Sequence, residues 1–422
     1  MHVVERLRNS QFLRHNAIFF LGSVSVGALN YLYYPVIGRL MEPTAFGEVQ
    51  TLISLFLQFS IFLTVFSLVV VNIVANVTDE TKRNVLVLEF EKLAIFISLV
   101  LLLITFVAQS ALMDFFQFSE SGSFVMLALA LVATVPYTMR GAFLRGKQKF
   151  GLASASNLVG AAGKLVFSVA LVMAGLSTAG AIGGLVAAQV LGCAMVIWWA
   201  YRAGLRTHGK RFALPNLRLL TPELKYGMLV LINMLVITLQ YSADVVIVKH
   251  FFDAHTAGLY AGVASVARII FFLTASIALV LMPSVKMSNT PQENRRFLFK
   301  SLILFGGLSV PTLALFALAP QFVVGLLMGH SYDDMSHILP QLSLAICIIS
   351  LLNLFVSYFL ALRRYGLTAV TVLGALITYA LMLGNHGSIA AVVNGLLVGS
   401  AAMLGLLGIW LIIPKKKRRE TA

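Results

Sequence analysis

Apolar runs of about twenty residues follow one another from position 16 to position 413, and no other feature limits the fold so strongly. A helix of about 20 apolar residues crosses the roughly 30 Å hydrocarbon core of a bilayer. Inside that core every backbone N–H and C=O must be satisfied within the chain, so long apolar runs are read as helices. This gauge predicts about twelve spans. They are 16–38, 46–76, 92–113, 123–144, 152–175 and 179–201, then 224–248, 257–286, 298–319, 338–361, 366–383 and 388–413. The chain is 59% hydrophobic and 11% charged. A soluble domain carries roughly a quarter charged residues, so a large soluble protein is excluded.

The formal net charge of +15 would suit a nucleic-acid partner. The positions of the charges exclude one, because they sit in short loops beside apolar runs and not on one soluble face. Basic residues collect on the cytoplasmic side of membrane proteins. Starting inside, alternate segments hold about 27 Lys and Arg, and the opposite segments hold only Arg39 and Lys249. The expectation is a multi-pass protein of the cytoplasmic (inner) membrane with both termini cytoplasmic. The opening MHVVERLRNSQFLRHN is too long and polar for a signal-peptide n-region, and no small-residue cleavage site follows, so the first run is expected to be retained. The tail PKKKRRETA reads as a stop-transfer anchor near anionic lipid.

The chain also repeats itself. Gly38–Val49, GRLMEPTAFGEV, resembles Lys249–Tyr260, KHFFDAHTAGLY, at an offset of about 211 residues. That offset pairs Glu42 with Asp253, Pro43 with Ala254 and Gly47 with Gly258. The longest polar stretch, Tyr201–Lys225, contains Pro215 and Pro222 and reads as a linker. The expected organisation is an N-terminal six-helix lobe at 1–201, a cytoplasmic linker at 202–223, and a C-terminal six-helix lobe with a basic tail at 224–422. An even number of spans per half keeps both halves in one orientation, as in parallel-repeat transporters. The predicted fold class is thus all-α and integral to the membrane, with two parallel six-helix lobes around a central cavity.

Ionisable groups within spans are costly and usually face a partner or a cavity. Lys164 lies mid-span in the fifth run, Arg268 well inside the eighth, and Asp244 toward the outer end of the seventh. Ser154, Asn157, Ala161, Lys164 and Ser168 recur at helical spacing and share a face. Further polar stripes include Asn16, Ser23 and Asn30 in span one, Gln58 in span two, Asn233 and Gln240 in span seven, and Asn353 in span ten. Such residues also hold helices together in lipid, and that bland role competes for each single stripe. For Asp244 a structural pairing with Lys249 or Arg268 has a better claim than ion coupling. A mid-membrane cation such as Lys164 or Arg268 needs water, an anion or a ligand, so the stripes together predict one shared aqueous cavity. Arg39, Arg140 and Lys249 are candidate contacts at its mouths. Pro35 and Pro283 are candidate hinges, with shape alone as the competing role.

No enzyme emerges. There is no Gly-rich phosphate loop, no paired mid-membrane carboxylates and no His–Cys cluster at metal spacing. Cys193 and Cys347 both lie in apolar runs, which argues against a disulfide framework or a zinc site. No cofactor or metal is expected.

Two stretches carry a resemblance. NAIFFLGSVSVGALNYLYYPVIGRLMEPTAFGEVQTLISL, and DVVIVKHFFDAHTAGLYAGVASVAR followed by LMPSV, resemble polysaccharide-biosynthesis flippases of the multidrug/oligosaccharidyl-lipid/polysaccharide exporter superfamily. The resemblance extends over essentially the whole chain. It implies a V-shaped pair of six-helix lobes that moves an undecaprenyl-diphosphate-linked oligosaccharide between leaflets by alternating access. Drug-exporting members would be expected to keep an acid in the first span, and none is present here. The lipid II branch carries extra spans, which this chain lacks. Lys164 and Arg268 would then contact the diphosphate, while Asn30, Asn157, Gln58, Gln240, Asn233 and Asn353 would meet sugar hydroxyls. The implied partners are the lipid-linked oligosaccharide, membrane lipids, and a polysaccharide polymerase with glycosyltransferases. A cation-coupled drug antiporter and a non-transporting scaffold for glycan assembly enzymes are the competing functions.

Overall fold

The computed structural model describes residues 22, 24–118, 122–206, 216–285, 289–362, 364 and 366–412. The start of the first span with Asn16 and Ser23, the middle of the linker and the basic tail lie outside the described residues. Helix α1 covers 24–40. It is followed by α2 (Pro43–Asn76), α3 (Glu80–Val107), α4 (Gln109–Phe116), α5 (Gly122–Gly146), α6 (Phe150–Met173) and α7 (Ser177–Arg202). The second half holds α8 (Leu217–Phe251), α9 (Ala254–Ala267), α10 (Ile269–Ser284), α11 (Pro291–Leu318), α12 (Pro320–Met328), α13 (Leu339–Ala361), α14 (Leu367–Gly384) and α15 (Ile389–Ile412). A 3₁₀ segment, His330–Ile338, leads into α13. Among the described residues, 11 candidate spans are long and apolar enough to cross a bilayer.

The protein is therefore all-α and membrane-spanning, and the repeat runs through the fold. The offset of 211 carries both ends of α3 onto those of α11, and the start of α4 onto the start of α12. Glu42 and Asp253 are both extended N-cap residues, and Pro43 and Ala254 both open a helix. Proline suits that place because the first helical N–H has no intrahelical partner. The Asp253 carboxylate accepts the Thr256 N–H at 2.9 Å. Bonds from the Thr256 hydroxyl and backbone hold that carboxyl below its ordinary range.

Helix α8 begins at Leu217, inside the stretch expected to be linker. The eighth span is two helices, α9 and α10, with a turn at Arg268.

In the first half α5 packs on α2, α3 and α7, and α6 on α7; in the second, α13 packs on α10 and α15, and α14 on α8 and α15. The halves meet mainly where α2 packs on α8 and α9. One apolar core joins both halves at the end where α1 turns into α2 and α8 into α9, with Phe46, Val49 and Leu52 packed among Val248, Tyr260 and Ile346. Toward the other end the core splits in two. One part, around Phe90 and Phe143, belongs to the first half apart from Leu220 at the start of α8, and the other, around Leu352 and Phe359, belongs to the second. The lobes are thus fused at one end and separate at the other. At the fused end Gly47 meets Gly258, and a Cβ on Gly47 would lie 2.8 Å from the Gly258 Cα. The two glycines that the repeat pairs touch each other where the lobes join.

Candidate substrate cavity

Between the lobes lies a cavity of about 520 Å³. Helices α1, α2, α5, α6 and α7 form most of its wall, and α8 and α10 close the remainder. Lys164 on α6 projects into it, and its Nζ donates to Asn30 Oδ1 on α1 at 2.8 Å. The same Nζ stands 4.3 Å from the centre of the Tyr33 ring, a cation–π distance. An ammonium has three donors, and no carboxylate pairs with this one among the described residues. Among the described residues the cavity wall contains no Asp or Glu.

Asn157 is also on the wall and accepts from the Tyr137 hydroxyl at 2.8 Å. The Tyr137 ring lies against Gly192, where a Cβ would come within 2.7 Å of it. The remaining wall mixes aliphatic side chains with a group of aromatic ones that includes Tyr34, Tyr241, Phe271 and Phe272. Of the predicted residues, then, Lys164, Asn30 and Asn157 come together, and all three belong to the first half. The aromatic wall was missed as a set. Its signal was the cluster Tyr31, Tyr33, Tyr34 in the first run.

The second half behaves differently. Asp244 is fully buried, with Oδ1 2.6 Å from the Arg268 guanidinium and Oδ2 accepting from the Tyr260 hydroxyl at 2.7 Å. Arg268 also donates to the Tyr241 carbonyl at 3.1 Å, which leaves it behind the Tyr241 ring and off the cavity wall. Asn233 bonds Thr368 and Thr371, and Gln240 bonds Thr378. Gln58 donates to Ser242 across the lobes at 3.1 Å. Asn353 is half-buried on α13, and none of these residues lines the cavity. The expectation of polar faces from both halves is corrected here. These buried polar groups of the second half bond to one another or across the lobes instead of facing the cavity, which lowers the cost of burying them, although Gln240 Oε1 has no partner among the described residues.

A family model described as "Polysaccharide biosynthesis protein" matches residues 36–337. The chain belongs to that family. No curated protein sequence matches it. Among solved structures it is similar to the lipid II flippase MurJ in an inward closed conformation, with a TM-score of 0.75, 13% identity, 94% of this chain and 88% of that chain covered. It is also similar to an inward-facing multidrug resistance MATE family transporter of the MOP superfamily, with a TM-score of 0.72, 12% identity, and 93% and 97% covered. A eukaryotic MATE transporter, AtDTX14, aligns at a TM-score of 0.64 and 15% identity over 96% and 97%. At these identities the likeness is one of fold.

In this polysaccharide biosynthesis protein the candidate mouth residues are engaged elsewhere. Arg140 pairs with Glu91 at 3.0 Å, tying α5 to α3 within the first lobe. Arg39 and Lys249 both lie at the fused end. Arg39 bonds the last carbonyls of α12, and Lys249, almost fully buried, donates to the Gln117 carbonyl at 3.3 Å. Glu48 is buried at the same end and accepts from Thr178 at 2.9 Å. It was not singled out from the sequence, although an acid within the predicted run 46–76 was a visible signal. Helix α1 runs unbroken from 24 through Pro35 to 40. Pro283 falls in the last turn of α10, so a hinge in the body of span eight is not at Pro283. The turn there is at Arg268.

Proposed function

We propose that this protein is a flippase that carries an undecaprenyl-diphosphate-linked oligosaccharide across the cytoplasmic membrane by alternating access, for surface polysaccharide biosynthesis. One observation carries the reading: a lysine without a carboxylate partner among the described residues faces an interlobe cavity whose wall has no acid. Such a wall favours an anionic headgroup and disfavours a cation. In a low-dielectric site the attraction between an ammonium and a phosphate is far stronger than in water. Asn30 and Asn157 supply hydrogen bonds for phosphate oxygens or sugar hydroxyls, and the tyrosines supply flat surfaces for sugar rings. With the basic loops in the cytoplasm, the fused end faces outward and the lobes part toward the side on which lipid-linked sugars are assembled.

The test is transport in proteoliposomes, read as the leaflet position of a pyrophosphate-linked lipid glycan. A charge-assisted hydrogen bond is worth about 1.5–3 kcal/mol, so Lys164→Ala is expected to slow transfer about tenfold to a hundredfold while the protein inserts and melts normally. Lys164→Arg should retain part of the rate. Wild-type transfer by Lys164→Ala would remove the reading. Coupled uptake of a cationic drug with no lipid movement would favour an antiporter instead.

A further inference from the structure

The offset that relates the halves also relates two contacts that join them. Arg39, near the end of α1, donates through Nη2 to the Leu326 carbonyl and through Nε to the Leu327 carbonyl at 3.1 Å. These are carbonyls of the last turn of α12, in the other lobe. His250, near the end of α8, bonds through Nδ1 to the Phe115 carbonyl at 2.8 Å. That carbonyl belongs to the last turn of α4, again in the other lobe. A carbonyl only accepts, so Nδ1 carries the hydrogen. Adding 211 turns Arg39 into His250 and Phe115 into Leu326. One contact is therefore the repeat image of the other.

Each lobe ends its first helix on a basic side chain that caps the short helix of its partner lobe. The last carbonyls of a helix lack intrahelical donors and carry partial negative charge, so both caps are favourable. Flanking contacts follow the same symmetry. Lys249 donates to the Gln117 carbonyl at 3.3 Å, while Gly38, its repeat partner, packs on Met328, the repeat partner of Gln117. The His250 ring also stacks on Phe115 at 3.8 Å.

We propose that Arg39 on α12 and His250 on α4 are paired latches that close the cavity toward the fused end, and that both must release before it opens there. Neither contact lies within one lobe, so each exists only while the lobes are closed at this end. Arg39 is exposed and His250 half-buried. Water can replace their bonds, which keeps each latch weak enough to open repeatedly. The proposal rests on the alternating-access part of the proposed function, and its test needs no substrate.

The test uses a Cys193→Ala, Cys347→Ala protein with one cysteine on the cavity wall, Ala161→Cys. A membrane-impermeant thiol reagent is added from the side of the 38–49 loop. Arg39→Ala and His250→Ala should each raise the labelling rate several-fold, and the double variant should raise it further. Cross-linking cysteines placed at 39 and 326 should return labelling to the parent rate. If the alanine variants unfold, Arg39→Met and His250→Phe keep the packing, remove only the donors, and decide the matter in the same way. Parent-rate labelling in folded single and double variants would overturn the proposal. Faster labelling together with no lipid transfer by the parent would leave the latches standing and count against the flippase reading alone.

Discussion

Arg268→Ala is expected to destabilise the folded protein by about 3–5 kcal/mol, the usual result of removing one member of a buried ion pair. Asp244 would be left as a carboxylate with no surface exposure, having lost its 2.6 Å contact with the guanidinium. The Tyr260 hydroxyl would remain as a donor at 2.7 Å, and one neutral donor does not offset a buried charge. Thermal unfolding in detergent and the amount of protein in the membrane both read this loss. Arg268→Met combined with Asp244→Leu should recover most of the stability, because apolar replacements remove both charges together. A different outcome would be informative. If Arg268→Ala inserts and melts like the parent while transport disappears, Arg268 meets the substrate directly during the cycle.

Gly258→Ala is the second large effect expected. A Cβ there would run into the Pro43 carbonyl and the start of α2, both backbone. Backbone cannot rotate away as a side chain can, so α2 and α9 must separate. Overpacking of this kind costs typically about 1–3 kcal/mol and occasionally more, and a backbone obstacle places it at the upper end. The strain falls where the lobes are fused, so the variant should also expose a cavity cysteine from that side. Gly306→Ala is the control. Nothing lies within 4 Å of its added Cβ, and a helical Gly→Ala change in open space gains roughly 0.5–1 kcal/mol. Equal melting temperatures for Gly258→Ala and Gly306→Ala would refute the account of the glycine contact.

Much of the fold was visible in the residues, and much less of the cavity. Span lengths followed from the bilayer gauge, and the paired stretches at 38–49 and 249–260 announced a duplicated lobe. The same stretches held the glycines on which the lobes touch, although only the folded chain shows that they touch each other. Stripes of polar residues looked alike in every span that carries one. On α6 the stripe contains Lys164, which faces the cavity. On α8 it ends in Asp244, facing Arg268 across a helix contact. Periodicity gives the direction of a side chain around its own helix and says nothing about what stands opposite.

By itself the sequence determined the class of this protein, the order of its spans, and its construction from two related halves. Those properties depend on the length, hydropathy and repetition of local segments, which the bilayer reads one segment at a time. Tertiary structure alone decided which intramembrane cation is paired with an acid and which faces the cavity. That outcome depends on distances of a few ångströms between side chains far apart in the chain. Arg268 came to rest beside Asp244, and Lys164 came to rest beside an asparagine and a tyrosine ring.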